Sequence, residues 1–494
     1  MNLLRTRGPI VSSRIAWLTR AGTALVTTTA AVGVFAAPAQ AAATGVASVS
    51  GAKLTFQAGS GKTNRVWITE SGGTVTVDDR VAVKPGKGCK AVHGDKTKVV
   101  CTGVESVSAS LGKGNDVFVN ISGLVAYAYG GTGNDTLNGG TVRDVLRGGS
   151  GNDTINGGGG TDYIYGERGN DRIYGGEGND RLYGDSGSDQ IHGGAGSDQI
   201  HDGSGNDRAY GDAGNDVLYD NKGKDRYYGS AGDDVLRAGD GKDADRYSGG
   251  AGTDTVSYLH MSEAVTAAGG VTADADGVSG DDGRSGEHDT IATDVENLTG
   301  SHGSDRLYGT AGANVLIGGG GNDRIYGRGG DDTLQGDDGR DRLDGGAGND
   351  HLVGDNGVNS DKETLYADVL IGGPGVDLAD YRGNWVPVTV DLDGQSGDDG
   401  VKGEGDTVGA DVENLIGGSG RNTLTGNAAN NIISGGEGPD VLRGLGGDDV
   451  LLSDTLPGTT SDDATDSLDG GSHVNGDTCG YDAEDAAVNC EINA

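Results

Sequence analysis

The chain has 494 residues, 99 of them glycine, with 75 acidic against 37 basic side chains and a formal charge of −38. That charge excludes nucleic acid and anionic membranes as electrostatic partners. With 33% hydrophobic residues, the bare polypeptide sits near the disordered class and needs something besides an apolar core to fold.

Residues 1–41 read as a targeting segment. Arg5, Arg7, Arg14 and Arg20 supply a positive start, Ala21 to Ala37 is apolar and small, and Ala39-Gln40-Ala41 has the pattern of a cleavage site. No Arg-Arg pair appears, which favours the general secretory route. The expectation is a secreted, extracellular protein cleaved after Ala41. No later apolar run is long enough to span a bilayer.

Residues 42–120 carry short alternating segments: Leu54-Thr55-Phe56, Val66-Trp67-Ile68, Val75-Thr76-Val77 and Val99-Val100-Cys101. They predict a small β module that caps the repeats C-terminal to it. From Gly130 to Arg237 a nine-residue unit, Gly-Gly-x-Gly-x-Asp-x-(Leu/Ile)-x, runs without a slip, with Leu111 to Phe118 as an isolated earlier echo. The sixth positions are Asp135, Asp144, Asp153, Asp162, Asp171, Asp180, Asp189, Asp198, Asp207, Asp216, Asp225 and Asp234. The eighth are aliphatic except at Ala209 and Tyr227, and the fourth are glycine except at Val142. The glycine half must turn, because only glycine reaches φ > 0 freely. The remaining residues, such as Arg172-Ile173-Tyr174, make a very short strand with one side chain inward. Two units close a coil of 18 residues. Coils stack about 4.8 Å apart, giving roughly 29 Å for this array, and only stacking buries the aliphatic residues.

The aspartates must then stack as well. Like charges that close destabilise the coil unless a cation lies between them. Carboxylates and turn carbonyls, without His or Cys, select Ca²⁺ over Zn²⁺ and over the geometrically stricter Mg²⁺.

Near-consensus copies such as Gly148-Gly149-Ser150-Gly151-Asn152-Asp153-Thr154-Ile155-Asn156 resemble the RTX (hemolysin-type) calcium-binding repeat. The resemblance implies a parallel β-roll with ions between successive turns, held by sixth-position aspartates and glycine-turn carbonyls. About ten complete sites would be expected in this array. Val142 departs from the pattern and puts the site near Asp144 in doubt. The N-terminal signal also departs from the one-step export common in that family.

A second array keeps register over residues 300–380, with Asp305, Asn314, Asp323, Asp332, Asp341, Asp350, Asn359, Asp368 and Asp377 at sixth positions. Its stretch Val358 to Ala367 reads as a degenerate coil. A third array, residues 417–452, has Asn422, Asn431, Asp440 and Asp449. Asparagine keeps an oxygen but loses the charge, so the metal ligands expected beyond the first array are Asp305, Asp323, Asp332, Asp341, Asp350, Asp440 and Asp449. The first array with its flanks spans residues 121–257. Two related spacers, residues 258–299 and 381–416, run from Tyr258 and Tyr381 to Val295-Glu296-Asn297-Leu298 and Val412-Glu413-Asn414-Leu415. Those last segments predict strands that re-enter the solenoid. The acidic tips Asp274-Ala275-Asp276-Gly277 and Asp391-Leu392-Asp393-Gly394 imitate half of an EF-hand, but lack its later ligands and read as solvated loops.

Four cysteines in an exported chain suggest two local disulfides, Cys89/Cys101 and Cys479/Cys490. They would staple the two ends, including the C-terminal segment 453–494, where no calcium ladder is expected. That segment resembles the closing segment of secreted calcium-binding proteins from high-GC Gram-positive bacteria. Gly184-Asp185-Ser186-Gly187 imitates a serine nucleophile motif but falls inside a repeat unit. His192 and His201 read as surface histidines.

The chain therefore reads as an all-β protein: a parallel β-roll in several arrays after a small β-rich module. It is expected to bind many Ca²⁺ ions and fold on binding, as a structural or adhesive extracellular protein and not an enzyme. An alternative is a polysaccharide-binding surface, cell-wall or extracellular, that uses Tyr165, Tyr174, Tyr183, Tyr210, Tyr219 and Tyr228 at the ninth positions. An enzyme linked to RTX repeats is the third reading, but no segment outside the arrays carries a catalytic motif.

Overall fold

The computed structural model describes residues 44–261, 269–355, 357, 365–453, 465–472, 476–480 and 485–492. The chain divides into two units, residues 1–41 and 42–494. The predicted targeting segment lies outside the described residues. The described part of the second unit is all-β, and most of it is a parallel solenoid.

The nonapeptide explains the solenoid locally. Arg172–Glu177 and Gln190–Ala195 are strands whose inward residue is the eighth position. Leu137, Ile155, Ile173, Ile191, Ala209 and Tyr227 lie in register as one inner column. Leu146, Ile164, Leu182, Ile200, Leu218 and Leu236 form the facing one. Both columns are almost completely buried. Turn glycines hold positive φ, for example Gly149 at 116° and Gly151 at 133°. A Cβ on either would run into the carbonyl of the coil below, Gly131 O or Gly133 O, so these positions are closed to side chains by space as well as by φ.

One wall is a 22-stranded sheet that runs the length of the described solenoid. The opposite wall is divided into sheets of 13, 7 and 6 strands. The divisions fall at the two spacers. Thr290–Ile291 ends the 13-stranded sheet, and Val271–Asp274 opens the next by pairing with Arg306–Tyr308. Thr407–Val408 and Val388–Asp391 repeat this at the second spacer. As the sequence suggests, Asn297–Thr299 and Asn414–Ile416 are strands of the long sheet.

Two expectations are corrected, that of the C-terminal segment and that of the degenerate coil. The N-terminal module is continuous with the solenoid: Lys53–Gln57 pairs in parallel with Ser106–Lys113, and Arg65–Ser71 with Val117–Asn120. Its antiparallel strands cover the first edge of both walls, where unpaired backbone would otherwise invite another chain. The C-terminal segment is also solenoid, since Ser467–Asp469 and Thr478–Gly480 stack on Val441–Arg443 and Val450–Leu452. Finally, strands on either side of Val358 to Ala367 pair directly with each other, which leaves no place between them for the expected degenerate coil. Arg342 pairs with Val369, and His351 with Leu378, each 27 residues on. Asn359 itself lies outside the described residues. Disulfides join Cys89 to Cys101 and Cys479 to Cys490.

Because each buried aliphatic is packed between two coils, Ile173→Ala should cost about 2–5 kcal/mol in denaturant unfolding at saturating Ca²⁺. A loss under about 1 kcal/mol would mean that the column is not what the coils rest on.

Candidate metal centres

Every sixth-position aspartate of the first array is buried at the start of its strand, with 2% or less of its surface exposed. One carboxylate oxygen has a structural task. The backbone N–H of Asp135 donates to Oδ1 of Asp153 at 2.6 Å, and that of Asp153 to Asp171 at 2.7 Å. Asp144, Asp162, Asp180 and Asp198 do the same on the other side. The carboxylates form two ladders that tie each coil to the next.

The other oxygen has no such donor. Oδ2 is buried without a hydrogen-bond partner among the described residues at Asp135, Asp153, Asp162, Asp171, Asp180, Asp189, Asp198, Asp207, Asp216, Asp225 and Asp234. The same holds at Asp323, Asp332, Asp341, Asp350 and Asp449. These oxygens face further acceptors. A Cβ placed on Gly130 would lie 2.5 Å from both Asp135 Oδ2 and Gly148 O, so carboxylate and carbonyl flank one point. Two acceptors turned toward each other in a buried place are costly unless a cation or proton sits between them.

Burial without a counter-charge also shifts the carboxyls. Desolvation raises Asp135, Asp162, Asp171, Asp189 and Asp198 to about 7, against the lowering effect of the donated N–H. It raises Asp207, Asp216, Asp225 and Asp323 to about 8, with neighbouring aspartates adding to the shift. Asp332 and Asp341 reach about 7, again through burial first. Asp153, Asp234, Asp350 and Asp449 move the same way.

Some positions differ. At Asp144 the second oxygen accepts Gly140 N–H at 2.6 Å, and at Asp305 it accepts Ser301 N–H at 2.6 Å. Asparagine replaces the cation with a donor: Asn422 Nδ2 donates to Gly435 O at 3.0 Å, and Asn431 Nδ2 to Glu413 O at 2.7 Å. Asn314 Nδ2 reaches Glu296 O at 2.6 Å. Asp440 Oδ1 accepts Asn422 N–H, which keeps it in the ladder.

The ladders extend further than the repeat pattern. Asn64 N–H donates to Asp116 and Asp116 N–H to Asp135. Asp225 and Asp234 pass to Asp245 and Asp254, each 20 residues on. Asp245 then passes across the spacer to Asp289, Asp368 passes to Asp406, and Asp449 to Asp477. A glutamate takes the role twice, Glu296 toward Asp254 and Glu413 toward Asp377. A fixed period of nine does not reach Asp245, Asp254, Asp289, Asp406 or Asp477, although Glu296 and Glu413 lie nine residues before Asp305 and Asn422. The available signal was the duplicated Asp-Thr-(Ile/Val) at Asp289 and Asp406.

A family model of the RTX calcium-binding nonapeptide repeat matches overlapping stretches across residues 129–256, 299–360 and 408–455. These are RTX calcium-binding repeats. Curated proteins give no match to the chain. The donor set fits the ion the repeats are described as binding: buried hard oxygens without nitrogen or sulfur, with one oxygen left without a donor on most of the aspartates. In the RTX coils, the Oδ2 atoms and the first-position carbonyls would hold Ca²⁺. The ion would supply the positive charge that the two acceptor columns lack.

These shifts give the pH dependence a definite sign. The folded, metal-free coil holds its aspartate protons up to about 7 or 8, whereas a solvated aspartate releases them near 3.8. Between those values the folded state binds more protons, so metal-free stability is greatest at the acid end and falls as pH rises through that window. We expect more β-structure at pH 5 than at pH 8 in chelator, and a higher Ca²⁺ midpoint at pH 5 because protons compete for Oδ2. Circular dichroism at the two pH values checks both.

Proposed function

We propose that this is a secreted protein whose RTX repeats bind many Ca²⁺ ions and fold on binding, as a stiff structural or adhesive element outside the cell. The observation that carries the reading is the column of buried, donor-less Oδ2 atoms, repeated coil after coil. A chain of charge −38 cannot hold those carboxylates ionised in close ladders without counter-ions. Extracellular calcium modules work at about 10⁻⁴–10⁻³ M, a range met outside cells and not in the cytosol. Export as an unfolded chain and folding after release are the consequence of that difference. Among the described residues no helix is long and apolar enough to cross a membrane.

The aromatic columns favour a structural role over sugar binding. Tyr165, Tyr183, His201 and Tyr219 stack with centroids 4.9, 5.0 and 4.0 Å apart. Tyr174, His192, Tyr210 and Tyr228 form a second stack. Arg147 and Arg237 lie over the end rings of the first. Within each stack the ring faces, the surface a sugar would need, are taken by neighbouring rings at all but the end rings of the second; each pair adds about 0.2–1 kcal/mol to the sheet.

The protein should be recovered from culture medium. There it should resist limited proteolysis at millimolar Ca²⁺ and be cut throughout the repeats in chelator. Retention inside cells, or equal protection in both buffers, would overturn the proposal.

A further inference from the structure

The first position of the RTX unit is glycine throughout the first array except in two units, which carry Asp202 and Asp220. They stand one coil apart on the same column of turns. A side chain there points at the interior, toward the place where sixth-position carboxylates lie. Asp202 is fully buried.

The same coils hold the two bulky residues of their inner column, Tyr227 and Tyr247, after the small Ala209. The Tyr227 hydroxyl donates to Asp202, and the Tyr247 hydroxyl to Asp220 at 2.5 Å. Gly203 N–H and Asn221 Nδ2 donate to the other oxygen of Asp202 at 2.6 and 3.1 Å. Phenol acceptors explain one carboxylate per tyrosine. They do not explain the third. Asp202, Asp220 and Asp225 each place an oxygen within 4.8 Å of the others. Asp225 is 1% exposed, and its Oδ2 has no partner among the described residues.

We infer that Asp202, Asp220 and Asp225 form a separate internal site for one hard cation, Ca²⁺ or a trivalent lanthanide. It is tighter than the repeat sites because two carboxylates from adjacent coils replace neutral turn oxygens. The site rests on the proposed function only through Asp225, which belongs to the ladder as well. It lies where the ladder step lengthens to 20 residues, from Asp225 to Asp245. A tight ion there fills first and holds the coils together at the irregularity.

Tyrosine-sensitised Tb³⁺ luminescence of the full-length protein tests this. With Tb³⁺ below one equivalent, the wild type should show a first binding class at least about ten-fold tighter than the rest. The double variant Asp202→Asn, Asp220→Asn should lose that class. Asp153→Asn, which alters only a repeat site, should keep it. A tight class that survives the double substitution overturns the inference and leaves both aspartates as partners for the tyrosine hydroxyls. If the repeat sites fail, the wild type shows the tight class alone; if both fail, it shows neither. A crystal of the wild type grown with Tb³⁺ decides without any variant: an anomalous peak among the three carboxylates supports the site, and peaks only elsewhere overturn it.

Discussion

The rest of the solenoid depends on how one carboxylate divides its two oxygens. Oδ1 of a sixth-position aspartate accepts the N–H of the residue facing it in the neighbouring coil, in most coils another aspartate, and fixes the stacking. At most of the first-array positions Oδ2 is left facing carbonyl oxygen, buried and without a donor among the described residues. The first interaction makes a polar ladder out of a chain too poor in apolar residues for a thick core. The second makes that ladder conditional on positive charge. On the function proposed above, stability and cation binding are the same free energy, read at the same atoms.

The three asparagine positions among the described residues are the internal contrast. Where Asn314, Asn422 or Asn431 stands, an amide N–H donates to a nearby backbone carbonyl, and the coil closes without an ion. Asn314 and Asn431 come one coil after the spacers, and the carbonyls they meet belong to Glu296 and Glu413. Uncharged sixth positions thus stand close to the places where one wall of the solenoid ends and another begins. Tyr258 and Tyr381 mark the same places from inside, each with its hydroxyl on the aspartate that carries the ladder through the spacer, Asp289 or Asp406.

Much of this was legible in the sequence, because a strict period of nine sets strand, turn and inward residue at once. The parallel solenoid, the sixth-position ladder and the re-entry of Val-Glu-Asn-Leu are all consequences of spacing. What spacing could not show is where the period stretches. Asp245 and Asp254 sit two residues late, Asp368 and Asp377 pair over 27 residues, and Asp289 pairs over 44. A coil tolerates such additions because the cost of loop closure grows slowly with length. Register is kept by the buried carboxylate, so a ladder can continue where the repeat has vanished. Asp202 and Asp220 were hidden for another reason: as first-position variants they look like surface substitutions, and only the fold turns them inward toward Tyr227 and Tyr247.

The most direct measurement is a far-UV circular dichroism titration of the full-length protein with Ca²⁺, with Mg²⁺ as the control. Facing acceptor columns predict a cooperative transition from coil to β-structure near millimolar Ca²⁺ that Mg²⁺ does not reproduce. A chain already β-rich in chelator at neutral pH, and unchanged by Ca²⁺, would show that the aspartate ladders stand without a cation and would contradict the dependence of the fold on Oδ2.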